Sequence, residues 1–284
     1  GLPLRRGARA GPGGPRADGA PPGSAARIFD LGRRPAPGGN SIVSAPSVLA
    51  TDLYRSPYKP VIDLWNAALP RISDAYARTL AEMTTDSPAD VRAEIDGASA
   101  AIQRLLLILT PQLQSWALRV ESRVRSSWRG AVLSATGVDL ETMIGPESAR
   151  QTIETYVNWN ADLVADVSNQ IKQRISNSVF TGLNERKPAR EVAKEIREAT
   201  GLGRARSIRI ASDQLSKLSN ALADERRREA GIDTWRWRHS GKLHPREDHK
   251  ARDGKEYTDE TAPKDLPGRL PFCGCRSQAV LTFD

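Results

Sequence analysis

From about Lys59 to Glu229 the apolar residues recur every three or four positions, with little that alternates in twos. Some 170 residues of that rhythm make long amphipathic helices the main possibility and leave little room for a large sheet. In VIDLWNAALPRISDAYARTLAEM the stripe is Val61, Leu64, Trp65, Leu69, Ile72, Tyr76 and Leu80, and Pro70 inside it predicts a kink or a restart. DSPADVRAEI carries a start signal, with Ser87 as N-cap, Pro88 in the first helical position and Asp90 in the first turn. That helix presents Ile95, Ile102, Leu105, Leu106 and Leu109 and is expected to stop before Pro111. A third follows through Trp116, Val120, Val124 and Trp128, with Arg119, Arg123, Arg125 and Arg129 spread around the rest of its surface.

A fourth helix is expected to restart at Pro146, to bury Leu163, Val164, Val167, Ile171, Ile175 and Val179, and to end at Gly182. Beyond NERKP a shorter one presents Val192 and Ile196 and stops at Gly201. The last covers about Arg204 to Glu229 with Ile208, Ala211, Leu215, Leu218 and Leu222 inward. These stripes read as core rather than as ligand pocket.

At Gly231 the period changes. DTWRWRHS alternates in steps of two, as a half-exposed strand does, and QAVLTF near the end is the second candidate. About fifty residues with two or three strands make a small core, which calls for a staple or a partner. The expected fold class is therefore mainly α: an elongated helical body over 51–230, a small C-terminal α+β domain over 231–284, and an arm over 1–50. The arm is dense in Gly, Pro, Ala and Arg and poor in large apolar residues, so it is expected to be flexible or extended. Its Arg5, Arg6, Arg9, Arg33 and Arg34 are candidate contacts to nucleic acid or to an acidic protein surface, in keeping with a net charge of +8. No stretch approaches the apolar length of a membrane span.

All three histidines, His239, His244 and His249, and both cysteines, Cys273 and Cys275, fall in the C-terminal segment. Thiolate and imidazole are the ligands zinc prefers, and His244, His249, Cys273 and Cys275 are the candidate set for a structural zinc. The Cys-Gly-Cys spacing is tighter than usual for a zinc pair and needs a tight turn at Gly274. A disulfide between the two would close no useful loop. Two other readings stand beside zinc. In one, the cysteines pack as small apolar groups and the histidines bond turn backbone. In the other, His244, His249 and Asp253 form a metal-dependent nuclease centre, although no Gly-rich phosphate loop or HExxH run accompanies them.

The order WRW, HPREDHKARDGKEY, LPGRLPFCGCRS resembles the C-terminal domain of the phage Mu F-like minor head proteins, the phage head morphogenesis family, over roughly residues 145 to 280. The elements that carry the resemblance are Trp237, Arg246, His249, Asp253, Gly254, Lys255, Pro271, Cys273 and Cys275. In place of the family's usual arginine before the second cysteine stands Gly274, and KDLPGR replaces a shorter proline-glycine approach. The resemblance implies a non-enzymatic minor capsid protein of a tailed phage or prophage particle. Such a protein is made in the bacterial cytoplasm and built into the virion head near the portal. Portal and major capsid proteins are its expected partners, packaged DNA a sequence-independent contact, and several copies per particle the expected stoichiometry. On this reading the family residues frame the small domain, and Asp253-Gly254 makes a turn. The alternatives are the nuclease and a zinc-stapled DNA-binding protein.

Overall fold

A computed structural model describes residues 47–82, 88–137, 139 and 149–280. The arginines at 5, 6, 9, 33 and 34, together with Ser87 and Pro146, lie outside the described residues. Helical structure begins at Ser47, earlier than the periodicity indicates. Helix α1 (Ser47–Leu53) passes through a five-residue π-helical turn, Tyr54–Tyr58, into α2 (Lys59–Glu82). Pro57 lies within that turn and has no N–H to give, which suits the wider i→i+5 geometry. Leu53 and Tyr58 are fully buried, so core packing holds this irregular stretch in place.

Helices α3 (Pro88–Leu106) and α4 (Thr110–Thr136) meet at a corner, with buried Leu109 as the residue before α4 and Pro111 in its first turn. Two long helices complete the body: α5 (Arg150–Glu185), of 36 residues, and α6 (Ala189–Glu229), of 41. At a rise of 1.5 Å per residue they extend about 54 and 60 Å, which makes the body elongated. One apolar core runs through all of them, with Trp65 and Ile72 of α2, Ile95 and Ile102 of α3, Trp116 of α4, Ile171 and Ile175 of α5, and Ile196, Leu215 and Leu218 of α6. The buried Trp65 indole donates to Ser168 Oγ at 3.1 Å and Trp116 to the Leu49 carbonyl at 2.8 Å, so neither ring leaves its N–H orphaned.

Four expectations fail here for identifiable reasons. Pro70 does not break α2: it sits on the exposed face, where water can bond the carbonyl its ring frees. Gly182 does not end α5, which continues to Glu185 and closes on Arg186 in the left-handed conformation. Gly182 instead lets α6 approach, since a Cβ there would stand 2.6 Å from Val192 Cγ2. Nor do Gly201 and Gly203 separate two helices, for α6 is continuous. A Cβ on Gly203 would meet Ile171 Cδ1 at 2.5 Å, so this glycine serves helix contact as well. A helical glycine costs about 1 kcal/mol, which the apolar stripe on both sides of it readily outweighs. Ile208 is 47% exposed, not inward, because the buried face of α6 runs through Ser207, Ile210, Ala211 and Gln214.

After Gly231, whose φ of +67° turns the chain off α6, comes a three-stranded antiparallel sheet in the order β2-β1-β3. Its strands are β1 (Trp235–Arg238), β2 (Glu256–Tyr257) and β3 (Arg276–Ala279). The central strand pairs Trp235 with Tyr257 on one side and with Ala279 on the other, and Trp237 with Ser277. Both tryptophans point inward while Arg236 and Arg238 stay half exposed, which is the period-two pattern read from WRWR. A short helix α7 (Glu247–Ala251) fills the connection between β1 and β2. Among the described residues, no helix is long and apolar enough to cross a membrane.

The small domain is fastened to α6 chiefly by polar contacts. Asn220 Nδ2 donates to the Cys275 carbonyl at 2.9 Å, Ser277 Oγ donates to Asp224 Oδ1, and Arg227 donates to the carbonyls of Ile232 (2.7 Å) and Asp233 (3.1 Å). Arg227 also donates to Asp259 Oδ1 at 2.5 Å. Trp128 and Val132 of α4 pack on Ala279 of β3, which adds an apolar contact at the seam.

Candidate functional site

The interior of the small domain is built on β1. Trp235, Trp237, Cys273 and Cys275 form its buried cluster, with Tyr257, Ala262, Leu266 and Leu270 packed around them. Helix α7 has Glu247 and Asp248 in its first turn, where carboxylates suit the N-terminal dipole, and turns His249 into the cluster. The His249 ring is 1% exposed and stands edge-on to Trp237, with centroids 5.0 Å apart.

Both nitrogens of His249 are engaged. Nε2 lies 3.0 Å from Asp265 Oδ2, and since a carboxylate can only accept, Nε2 carries the hydrogen, so that in the neutral ring Nδ1 presents a lone pair. That lone pair faces two sulfurs, Cys273 Sγ at 3.4 Å and Cys275 Sγ at 3.7 Å. Arg252 Nη1 donates to the other oxygen of Asp265 at 2.7 Å, and its guanidinium stacks over the Trp237 ring at 5.1 Å. Burial pushes the Asp265 carboxyl up, but the hydrogen bonds from Arg252 and His249 more than offset this and hold it below the usual carboxylate range.

The two cysteines are free thiols held side by side. The turn that presents them passes through Phe272 at a φ of +58°, a conformation rare outside glycine. A hydrogen bond from the Cys275 thiol, with help from the amides of Cys275 and Gly268, brings Cys273 down to about 5. Donating that bond, and burial, push Cys275 up. The fully buried Trp237 indole lies close enough to Cys275 to favour its charged form, although its N–H makes no hydrogen bond of normal geometry. Gly268, at a φ of +73°, is needed where it stands because a Cβ would lie 2.1 Å from Asn220 Nδ2.

The other residues singled out from sequence frame this interior. Asp253 Oδ1 accepts from the His239 amide at 2.8 Å, and Gly254 takes a φ of +80°. The Gly254 amide donates to the Trp237 carbonyl and the Trp237 amide to the Lys255 carbonyl, so the turn continues the β1 ladder. Arg246 is exposed and donates to the Pro271 carbonyl at 3.2 Å, which ties the start of α7 to the cysteine turn.

His244 is exposed and is not among the groups whose ligand atoms converge; of the four proposed zinc ligands the structure brings together His249, Cys273 and Cys275. The nuclease trio is likewise not assembled, since the Asp253 carboxylate holds the His239 amide while His249 faces Asp265 and sulfur. Asp265, Arg252 and Asn220 were not singled out from sequence. They act across 16, 13 and 55 residues of chain, and no local spacing marks them.

Residues 169–278 match the family described as Phage Mu protein F like protein. That stretch of the chain is similar to the phage Mu F-like proteins. The phage Mu F-like region begins inside α5, takes in all of α6 and ends in β3, so it contains the small domain together with the helix that carries it. An uncharacterized protein of Haemophilus influenzae is 28% identical over 149 residues, covering 51% of this chain and 33% of its own length. The chain thus spans about a third of that relative. No solved structure matches.

Proposed function

We propose that the chain is a head-morphogenesis protein of a tailed phage or prophage-derived particle: a minor capsid component that docks on the portal and the inner face of the capsid and catalyses no reaction. The phage Mu F-like region carries this reading, because it takes in the whole of α6 and nearly all of the sheet domain at its end. The surface is in keeping with protein docking. At the α3–α4 corner Leu107 and Ile108 are 82% and 60% exposed, and Leu118 adds to the apolar surface of α4. Much of the arginine on α4 is engaged within the chain: Arg119 with Asp52, Arg125 with Glu121 and Arg129 with Asp139. Sequence-independent contact to packaged DNA falls accordingly to the basic N-terminal segment, with Arg5, Arg6, Arg9, Arg33 and Arg34.

The test is co-expression with the portal and major capsid proteins of the same phage or prophage, followed by gradient sedimentation and mass spectrometry of the particle fraction. The chain is expected to sediment with portal-containing particles at a low, fixed ratio of several copies each. Particles of normal composition that leave the chain at the top of the gradient would overturn the reading.

A further inference from the structure

We propose that His249, Cys273 and Cys275 bind one zinc ion, through Nδ1 and the two sulfurs, and that Asp265 is the positioning residue for the histidine. Zinc bonds of about 2.3 Å to sulfur and 2.0–2.1 Å to nitrogen at a tetrahedral angle place N and S about 3.5 Å apart. The observed separations from Nδ1, 3.4 and 3.7 Å, bracket that edge, and all three ligand atoms lie within 4.8 Å of one another.

A hydrogen bond accounts for this cluster less well. Neutral Nδ1 has a single lone pair and can accept from one thiol, whereas two sulfurs converge on it. A cation satisfies both sulfurs and the nitrogen at once. The outer groups are those of a ligating histidine: the remote N–H goes to a carboxylate, and that carboxylate is held in turn by Arg252.

The donor set selects the ion. Two soft sulfurs and one imidazole favour zinc over the hard, oxygen-seeking cations, and a closed-shell ion imposes no geometry of its own on a tight Cys-Gly-Cys turn. Three protein ligands leave the fourth position to water. The ion links α7, which supplies His249, to the turn before β3, which supplies the sulfurs, and so staples a domain whose apolar cluster is small. The inference stands on these side chains alone and is independent of the head-assembly reading.

The full chain, expressed with zinc in the medium and purified without chelator, is expected to hold one equivalent by elemental analysis. Cobalt(II) in its place should show the sulfur-to-cobalt charge-transfer band and the intense visible bands of a four-coordinate site. Ellman's reagent should find both thiols protected until chelator is added. His244→Ala should keep the full equivalent, and Asp265→Asn should weaken zinc binding by about 10–100-fold. Since Cys273→Ser and Cys275→Ser can fail to fold, the spectrum of the unaltered chain is the deciding measurement. A folded, metal-free chain with both thiols open to reagent, or a cobalt spectrum without the sulfur band, would overturn the proposal.

Discussion

The helical body and the small domain solve the same problem by different means. In the body a single apolar core runs through α1 to α6, into which are set a few buried polar groups: the Trp65 and Trp116 indole donors and the Arg226–Glu121 pair between α6 and α4. In the small domain four buried residues make up the core, and the work of ordering the chain falls to directed contacts. These are the His249–Asp265–Arg252 relay, Asn220 on the Cys275 carbonyl, Arg227 on two carbonyls, and Asp253 on the His239 amide. A core of many interchangeable apolar contacts tolerates the loss of one. A core of few, directed contacts fails as a unit.

The largest expected effect is therefore confined to one region. Stripping the metal with a strong chelator should abolish amide-exchange protection across residues 231–280 while the far-ultraviolet helical signal of the body persists. Simultaneous loss of both signals would show that the two regions fold as one.

Next in size is a change inside the body. Arg226 is buried between Glu121 of α4, at 2.6 Å, and Glu229, at 2.7 Å. Glu121→Ala removes the carboxylate of α4 that pairs with this guanidinium and should cost about 3 kcal/mol, the low end for a broken buried pair, measured by denaturant unfolding. The loss should appear in the body transition, because α4 and α6 are its walls.

Smaller again is Gly203→Ala. A methyl 2.5 Å from Ile171 Cδ1 and 2.7 Å from its Cγ1 must displace that side chain from its place or push α5 and α6 apart, at a cost of about 1–3 kcal/mol. The nearby Gly201→Ala, with nothing within 4 Å, should instead stabilise the helix slightly. Comparing their melting temperatures separates a glycine needed for contact from one that is merely tolerated.

The smallest effect is pH-dependent. Burial raises the Asp259 carboxyl, but hydrogen bonds from Arg228 and Arg227 win and leave it below its ordinary range. A carboxyl lowered on folding contributes stability above its unfolded pKa and loses it as the pH falls through the folded value. Asp259→Asn should thus lower the melting temperature of the small domain slightly near neutrality, and the difference from the unaltered chain should vanish in acid.

The same contrast explains what could be read from the residues alone. Helix stripes such as Ile171, Ile175 and Val179 are legible because burial repeats locally, and so is the alternation of Trp235 and Trp237. Gly182 and Gly201 mislead because a breaker is overruled where the flanking stripe packs on helices far away in sequence, which no window of neighbouring residues contains, and Pro70 misleads because it faces solvent. At the site, His249, Cys273 and Cys275 stand out as scarce residue types with a metal-binding chemistry. Asp265 does not, since acidic residues are plentiful and its partner is fixed only when KDLPGR folds back over α7. His244 was attractive for its type alone, and its exposed place in the loop after β1 shows how little type decides without position.

Helix α6 has Val192 and Ile196 in the body core near one end and Asn220 and Arg227 on the small domain near the other, within one unbroken rod. A helix advances 1.5 Å and turns about 100° with each residue, so its residue count sets an angle as well as a distance. One residue inserted between Leu202 and Ser207 would turn Ile210, Leu215 and Leu218, with the sheet domain beyond them, about a quarter-turn away from the neighbours they pack on. Seven would shift that half of the helix about 10 Å along its axis while nearly restoring its heading. Chains that differ by whole heptads in this rod would keep the same buried face and change only their reach.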